Sequence, residues 1–416
     1  MKELKWSNRV SWAFISVFIM TFCSMDTLLF GTNANDIWRI YLVGALLCYE
    51  VGMLIHYFYT KKRSLHFRKE LMVTTAVYFI LISFTQVSAF CRGSYAMEIH
   101  YFYQMIIFAI VVTTVHLVSK EQFVDVFVDL MCIFAVIAIC LFVLDKVGII
   151  YSLPSYRMVN TSGYLYYHFG LGAVAAPREY VAARVYGIFR EPGVFAIYMC
   201  VAFYFEMFFK RRMELKRLVV LSIAVLLSYS TAGYIALGLY FILYCVLKPA
   251  KSTNERYGKI LLIIGGTIVI IFGISDEVQK EVFGKLFVEN DSLNSRVYSI
   301  IGGAAYSLQY PILGQGWMRV MNDFENFLST TYGLSSLAFT NTYIRMACTY
   351  GWIFTVISLC GVWRFHKRFI EKNGIVWLLG LCWIIVFSNE NFVSNPLIYI
   401  ITYYGYDNSS KKLTYQ

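Results

Sequence analysis

The sequence predicts an all-α integral membrane protein: one polytopic domain over residues 1–416, with about 12 transmembrane helices and two long outer loops, 145–190 and 274–340. Three observations predict it. Of 416 residues, 59% are apolar and only 15% charged, against roughly 25% charged in soluble domains. The apolar residues fall into runs long enough to cross a bilayer's hydrocarbon layer, and twelve crossings of about 20 residues would use nearly all of them. The net charge of +11 sits in short basic clusters between the runs, which suits anionic lipid rather than nucleic acid.

In chain order the apolar runs lie near 10–30, 37–59, 71–90, 101–118, 123–144 and 192–209. Residues 218–247 form a longer run interrupted by Ser228-Tyr-Ser-Thr-Ala-Gly233, which reads as two short helices meeting at a break. Runs near 259–273, 341–363, 375–388 and 392–405 complete the set. Two thirds of the 36 lysines and arginines fall on the side that carries the termini, in segments such as KKRSLHFRKE, KRRMELKR and WRFHKRFIEK. The positive-inside rule therefore places both termini in the cytoplasm and the long loops on the outer face.

This composition excludes a soluble enzyme and a secreted disulfide scaffold. The ten cysteines include no C-x-x-C pair and the six histidines do not cluster, so no metal site and no cofactor is expected.

Loops as long as the outer two usually carry function. The first holds Arg157, Arg178, Arg184 and Arg190, with nine Tyr or Phe residues between Tyr151 and Phe189, Tyr186 among them. Rings stack on sugar faces and guanidinium groups grip phosphate in bidentate fashion. An interfacial aromatic belt with snorkelling cations has the same composition. The run Arg184-Val-Tyr-Gly187-Ile-Phe-Arg190-Glu191-Pro192 leads into a helix, whose free amides beside two guanidinium groups offer a phosphate seat. As plain structure, Glu191 is a cap and Arg190 its ion-pair partner. In the second loop, Asn290-Asp-Ser-Leu-Asn-Ser-Arg296 precedes a helical stretch, 297–310, closed by Pro311-Ile-Leu-Gly314-Gln-Gly316-Trp317. Val297, Ile300, Ile301, Ala304 and Leu308 recur at helical spacing, as in a helix lying along the membrane surface with Arg296 at its start. Cations from the two loops would then clamp a diphosphate.

These segments, with Asn341-Thr-Tyr343 and Tyr350-Gly351, resemble the bacterial O-antigen polymerase family, which shares a superfamily with the O-antigen ligases. The resemblance runs in order from about 184 to 361. It implies a membrane glycosyltransferase of GT-C-like architecture in the bacterial inner membrane, metal-independent and active on the outer face. The implied donor is a polysaccharide on undecaprenyl diphosphate, transferred with inversion onto a lipid-linked repeat unit. Membrane lipid and a chain-length regulator protein are the other implied partners. Arg296, Arg190 and Arg184 are the candidates for stabilising the leaving group, and Glu191 for the base or for orienting the acceptor. Asn341, Tyr343, Tyr186, Glu390 and His168 are candidates for binding substrate, with Glu325, Glu390 and His168 as other possible bases. Ligase relatives carry an arginine and a histidine where this chain has Thr231 and Thr340, so the usual base is missing. A ligase and a lipid-linked oligosaccharide flippase are the competing readings, with a receptor or scaffold as a third.

Overall fold

The computed structural model describes residues 2–22, 24, 26–28, 44, 47–49, 51–52, 55, 59, 68–93, 99–159, 165–176, 183–210, 213–247, 291–333, 339–370 and 373–407. The expected spans at 37–59 (for the most part) and 259–273, and the loop residue Arg178, lie outside them. The chain divides into two compact units. One comprises Met1–Met25, Asn35–Phe123 and Asp291–Gln416; the other comprises Asp26–Ala34 and Val124–Asn290.

The protein is mostly helical. Helices α1 (Lys2–Phe22), α2 (Lys69–Cys91), α3 (Ile99–Leu117) and α4 (Lys120–Lys146) come first. Residues Lys69–Cys91, His100–Leu117 and Lys120–Lys146 are long and apolar enough to cross a membrane. The remaining helices are α5 (Pro192–Phe208), α6 (Leu215–Leu227), α7 (Thr231–Leu247), α8 (Asp291–Ser307), α9 (Trp317–Tyr332), α10 (Thr342–Tyr350), α11 (Trp352–Phe369), α12 (Asn373–Phe387) and α13 (Pro396–Tyr406).

In the first unit, α2 buries Leu71, Thr74, Tyr78, Ile82, Thr85 and Ala89 at helical spacing. Tyr78 is the hub: its hydroxyl shares a 2.8 Å hydrogen bond with Ser358, and its ring meets Phe108, Phe354, Tyr399 and Tyr403. Helices α11 and α13 touch at Gly361 and Gly405; a Cβ on Gly405 would run into the Gly361 backbone and one on Gly361 into Thr402, the small-residue contact that lets membrane helices approach closely. At one end of this unit Arg68 pairs with Asp407, the Tyr404 hydroxyl donates to Val118 O and Arg368 donates to Gly405 O. At the other end of α2, Thr85 donates to Leu313 O and Arg92 to Gly314 O.

The structure differs from the sequence expectation at three points. Residues 341–363 are two helices, split at Gly351. Its φ of 88° and ψ of 167° are essentially reserved for glycine, and segment 311–316 lies in the break: Trp352 N donates to Pro311 O at 2.7 Å and Gln315 N to Cys348 O at 2.7 Å. Helix α8 begins at Asp291, so Arg296 is its sixth residue rather than at its start; a further helix, α9, follows it in the second loop.

The third difference belongs to the second unit, where the first loop contains a small antiparallel sheet. Strands β1 (Tyr156–Val159), β2 (Leu165–His168) and β3 (Ala173–Ala175) pair in that order. The turn after β2 closes through Phe169 N to Gly172 O at 2.8 Å, with Gly170 at φ +83°. The sheet packs Met158, Tyr166 and Ala173 against Leu28 and Tyr186. In the same unit, the run 218–247 divides into α6 and α7 as expected. Ser230 Oγ accepts from Gly233 N, capping α7, and a Cβ at Gly233 would lie 2.9 Å from both Ala196 and Val225.

Candidate active site

In the second unit, the Arg184–Pro192 run is a turn held at both ends. Val185 N donates to Leu227 O at 3.1 Å, which seats Arg184 at the end of α6 beside the α6–α7 break. There Tyr229, at φ +50°, is the non-glycine residue with positive φ among those described, an outlier for a bulky side chain. Burial raises the Tyr229 phenol's pKa above 10, against the opposing charge of Arg184. At the other end, Arg190 N donates to Asp26 O at 2.9 Å and Leu28 N to Ile188 O at 2.8 Å, so residues 26–28 pair with 188–190 like a short strand.

Between these anchors Gly187 takes φ +57°, and a Cβ on it would press into the Phe195 ring at 2.8 Å. The turn therefore requires glycine and packs against the first residues of α5. Pro192 opens that helix without needing a donor, and Glu191 precedes it in extended conformation with no side-chain cap bond.

The Arg190 guanidinium lies between two carboxylates. Its Nε is 3.4 Å from Asp26 Oδ1 and its Nη1 is 3.3 Å from Glu191 Oε1. Asp26 is buried while the Glu191 side chain is 42% exposed, so the aspartate fixes the arginine and the glutamate faces outward. Asp26 is not among the residues that the sequence singles out, because its partner is far along the chain. Tyr186 is buried edge-to-face on Tyr166 at 5.3 Å. His168 lies in β2, where its Nδ1 accepts from Gly170 N at 3.2 Å, and burial lowers its pKa below 6.5.

In the first unit, α8 packs beside α10. Ser299 Oγ accepts from Thr340 N at 3.1 Å, Cys348 Sγ donates to Gly303 O at 3.2 Å, and Trp352 Nε1 donates to Ser307 Oγ at 3.1 Å. The serine face of α8 is thus buried, and Val297, Ile300 and Ile301 remain exposed. Asn341 is the N-cap of α10, its Oδ1 accepting from Ile344 N at 3.0 Å. Tyr343 is buried, and its hydroxyl accepts from Trp383 Nε1 at 3.0 Å. These contacts are the work of a helix junction. Glu390 is half-buried, and its carbonyl accepts from Thr342 Oγ1. Arg345 is buried over Trp317, with its Cζ 4.9 Å from the ring centre. Of the candidates, the structure brings Arg190 and Glu191 into direct contact, and Asn341 and Glu390 flank the start of α10. Among the described residues no group of three or more His, Cys, Asp or Glu is placed to hold a metal.

Residues 217–359 match the model of a family described as O-antigen ligase. No curated protein and no solved structure matches the chain. The matched stretch runs from the start of α6 into α11 and takes in the α6–α7 break, α8, the loop 311–316 and the Gly351 junction. Residues 217–359 thus carry a domain of the O-antigen ligase family, consistent with membership of the O-antigen polymerase/ligase superfamily of membrane proteins.

Proposed function

We propose that the protein is a polysaccharide polymerase of the bacterial inner membrane, with about 12 crossings and both termini in the cytoplasm. It transfers a growing glycan from undecaprenyl diphosphate to a lipid-linked repeat unit at the outer face. The observation that carries this reading, beside the family domain, is the Arg184–Glu191 turn: Arg184 beside the α6–α7 break, and Arg190 at the mouth of α5, gripped by Asp26, with an outward-facing carboxylate next to it. In the reaction a hydroxyl oxygen of the acceptor attacks the anomeric carbon of the donor. The carbon–oxygen bond to diphosphate breaks, undecaprenyl diphosphate leaves, and the hydroxyl proton passes to a base, which we assign to Glu191. Arg184, Arg190 and Arg296 are assigned the charge that develops on the leaving group, where preorganised cations in a poorly solvated site act most strongly. His168, Tyr186 and Glu390 are assigned secondary contacts with the sugars, whereas the observed bonds of Asn341 and Tyr343 serve the α10 junction.

Replacing Arg184, Arg190 or Arg296 by alanine should leave the protein in the membrane and lower the polymerisation rate by about a hundred- to a thousandfold. Normal chain length in all three variants would refute the assignment. The second reading is a ligase, favoured by the description of the matched family. The absent arginine and histidine at Thr231 and Thr340 favour the polymerase. Purified protein given a defined lipid-linked repeat and no other acceptor separates them: a polymerase makes a ladder, whereas a ligase makes product only when lipopolysaccharide core is added.

A further inference from the structure

In the second unit, the end of α6 closes in a conformation that normally calls for glycine. Leu227 is the last helical residue and Ser228 its cap, so Tyr229 takes the next position, in the left-handed region at φ +50°. Its amide donates to Leu226 O at 3.2 Å, the inner bond of a Schellman-type ending. A side chain relays the outer bond: Ser230 N donates to Ser228 Oγ at 3.3 Å, and that hydroxyl donates to Val225 O at 2.6 Å. Glycine fills this position most often and asparagine sometimes, because a Cβ there crowds the following carbonyl. A tyrosine holds the same turn only at a cost in stability.

Polar and ring contacts of the side chain do not offset that cost. Tyr229 is half-buried, and among the described residues its ring meets no other ring and its hydroxyl makes no hydrogen bond. Tyr234, in the first turn of α7, is the contrast: it is buried, and its hydroxyl donates to Leu226 O at 2.6 Å. Beside the uncommitted phenol stands a cation. Val185 N, bonded to Leu227 O at 3.1 Å, seats Arg184 at the break, and the Arg184 charge acts on the Tyr229 phenol. Burial keeps that phenol's pKa above 10, so it stays protonated and can donate to an oxyanion. Residues held in sparsely populated backbone conformations cluster at functional sites, where the strain serves to position a group.

We infer that Tyr229 is a further catalytic residue, whose hydroxyl donates a hydrogen bond to an oxygen of the leaving diphosphate beside Arg184. The inference rests on the polymerase reading and adds a residue to the same site. The left-handed backbone fixes where the ring stands, so the donor is in place before negative charge develops on the departing oxygen. Tyr229 transfers no proton in this step; the bond between the anomeric carbon and the diphosphate oxygen breaks, and the phenol stabilises the charge left behind.

The test is ladder formation by the purified, full-length protein from a defined lipid-linked repeat, with the melting temperature measured on the same samples in detergent. Tyr229→Phe keeps the ring and the backbone and removes only the donor. Its melting temperature should match that of the wild type within about 1 °C, while kcat falls about tenfold to a hundredfold and KM changes less than about threefold. Tyr229→Gly relieves the strain as well. It should melt no lower than the wild type and be at least as slow as Tyr229→Phe. A tyrosine with only a structural role gives the reverse: a normal rate in Tyr229→Phe, and a lower melting temperature in Tyr229→Gly. Either result overturns the inference. Equal ladders from the wild type and Tyr229→Phe would remove this role and leave the polymerase reading standing, whereas a wild type that makes no ladder defeats both.

Discussion

An alanine at Gly351 would test how loop 311–316 is locked against the α10–α11 junction. The backbone there, at φ 88° and ψ 167°, costs a non-glycine residue about 1–3 kcal/mol. The new Cβ would also collide with Ile312 O and lie 2.9 Å from Leu313 N. Both are backbone atoms, so the loop itself has to move. Three bonds tie it down: Trp352 N to Pro311 O at 2.7 Å, Gln315 N to Cys348 O at 2.7 Å and Gly316 N to Thr349 O at 3.0 Å. Losing one of them adds about 1–3 kcal/mol, for a total of about 2–6 kcal/mol. Gly333 is the control. It too has positive φ, +68°, but no atom lies within 4 Å of its Cβ position, so alanine there costs about 1–2 kcal/mol. At about 2 °C per kcal/mol, the melting temperature in detergent should fall by about 4–12 °C for Gly351→Ala and about 2–4 °C for Gly333→Ala. Equal shifts would mean that loop and junction are not locked together as described.

The other predictions concern the second unit. Asp26→Asn removes a buried partner of Arg190 and should destabilise the protein by about 1–3 kcal/mol. Glu191→Gln, on an exposed carboxylate, should cost less than about 1 kcal/mol, so the two melting curves must separate for Asp26 to be the anchor. His168 gives a pH signature. Burial lowers its folded pKa below the unfolded 6.5, so the unfolded chain binds the proton first. Stability is unaffected by this residue above pH 6.5 and falls as pH drops from there through the folded value. His168→Gln should flatten that part of the stability profile, and an unchanged slope between pH 7.5 and 4.5 would show that the ring is not buried as a neutral group.

The helices were legible because span length and charge asymmetry are local properties. The break at Ser228–Gly233 was readable for the same reason: small and polar residues interrupt an apolar run. The break at Gly351 was not, because a glycine in an apolar run looks the same whether or not a loop from 40 residues earlier enters beside it. The sheet left a faint signal, the aromatic run Tyr164–Phe169 with glycines at 170 and 172, which the strong helical pattern on either side outweighed. Asn341 and Tyr343 read equally well as sugar ligands and as structure. Only the observed partners, Ile344 N and Trp383 Nε1, reveal the helix-junction contacts they make.

The sequence by itself pointed to a membrane protein and marked its apolar segments, three of which, among the described residues, are helices long enough to cross a membrane, since both follow from composition and order along the chain. Tertiary structure alone decided the partners: Asp26 for Arg190, the Gly314 carbonyl for Arg92, and the Pro311 carbonyl for Trp352. Such pairings join residues separated by up to hundreds of positions, and their energy depends on distance and burial in space, quantities that spacing along a chain does not contain.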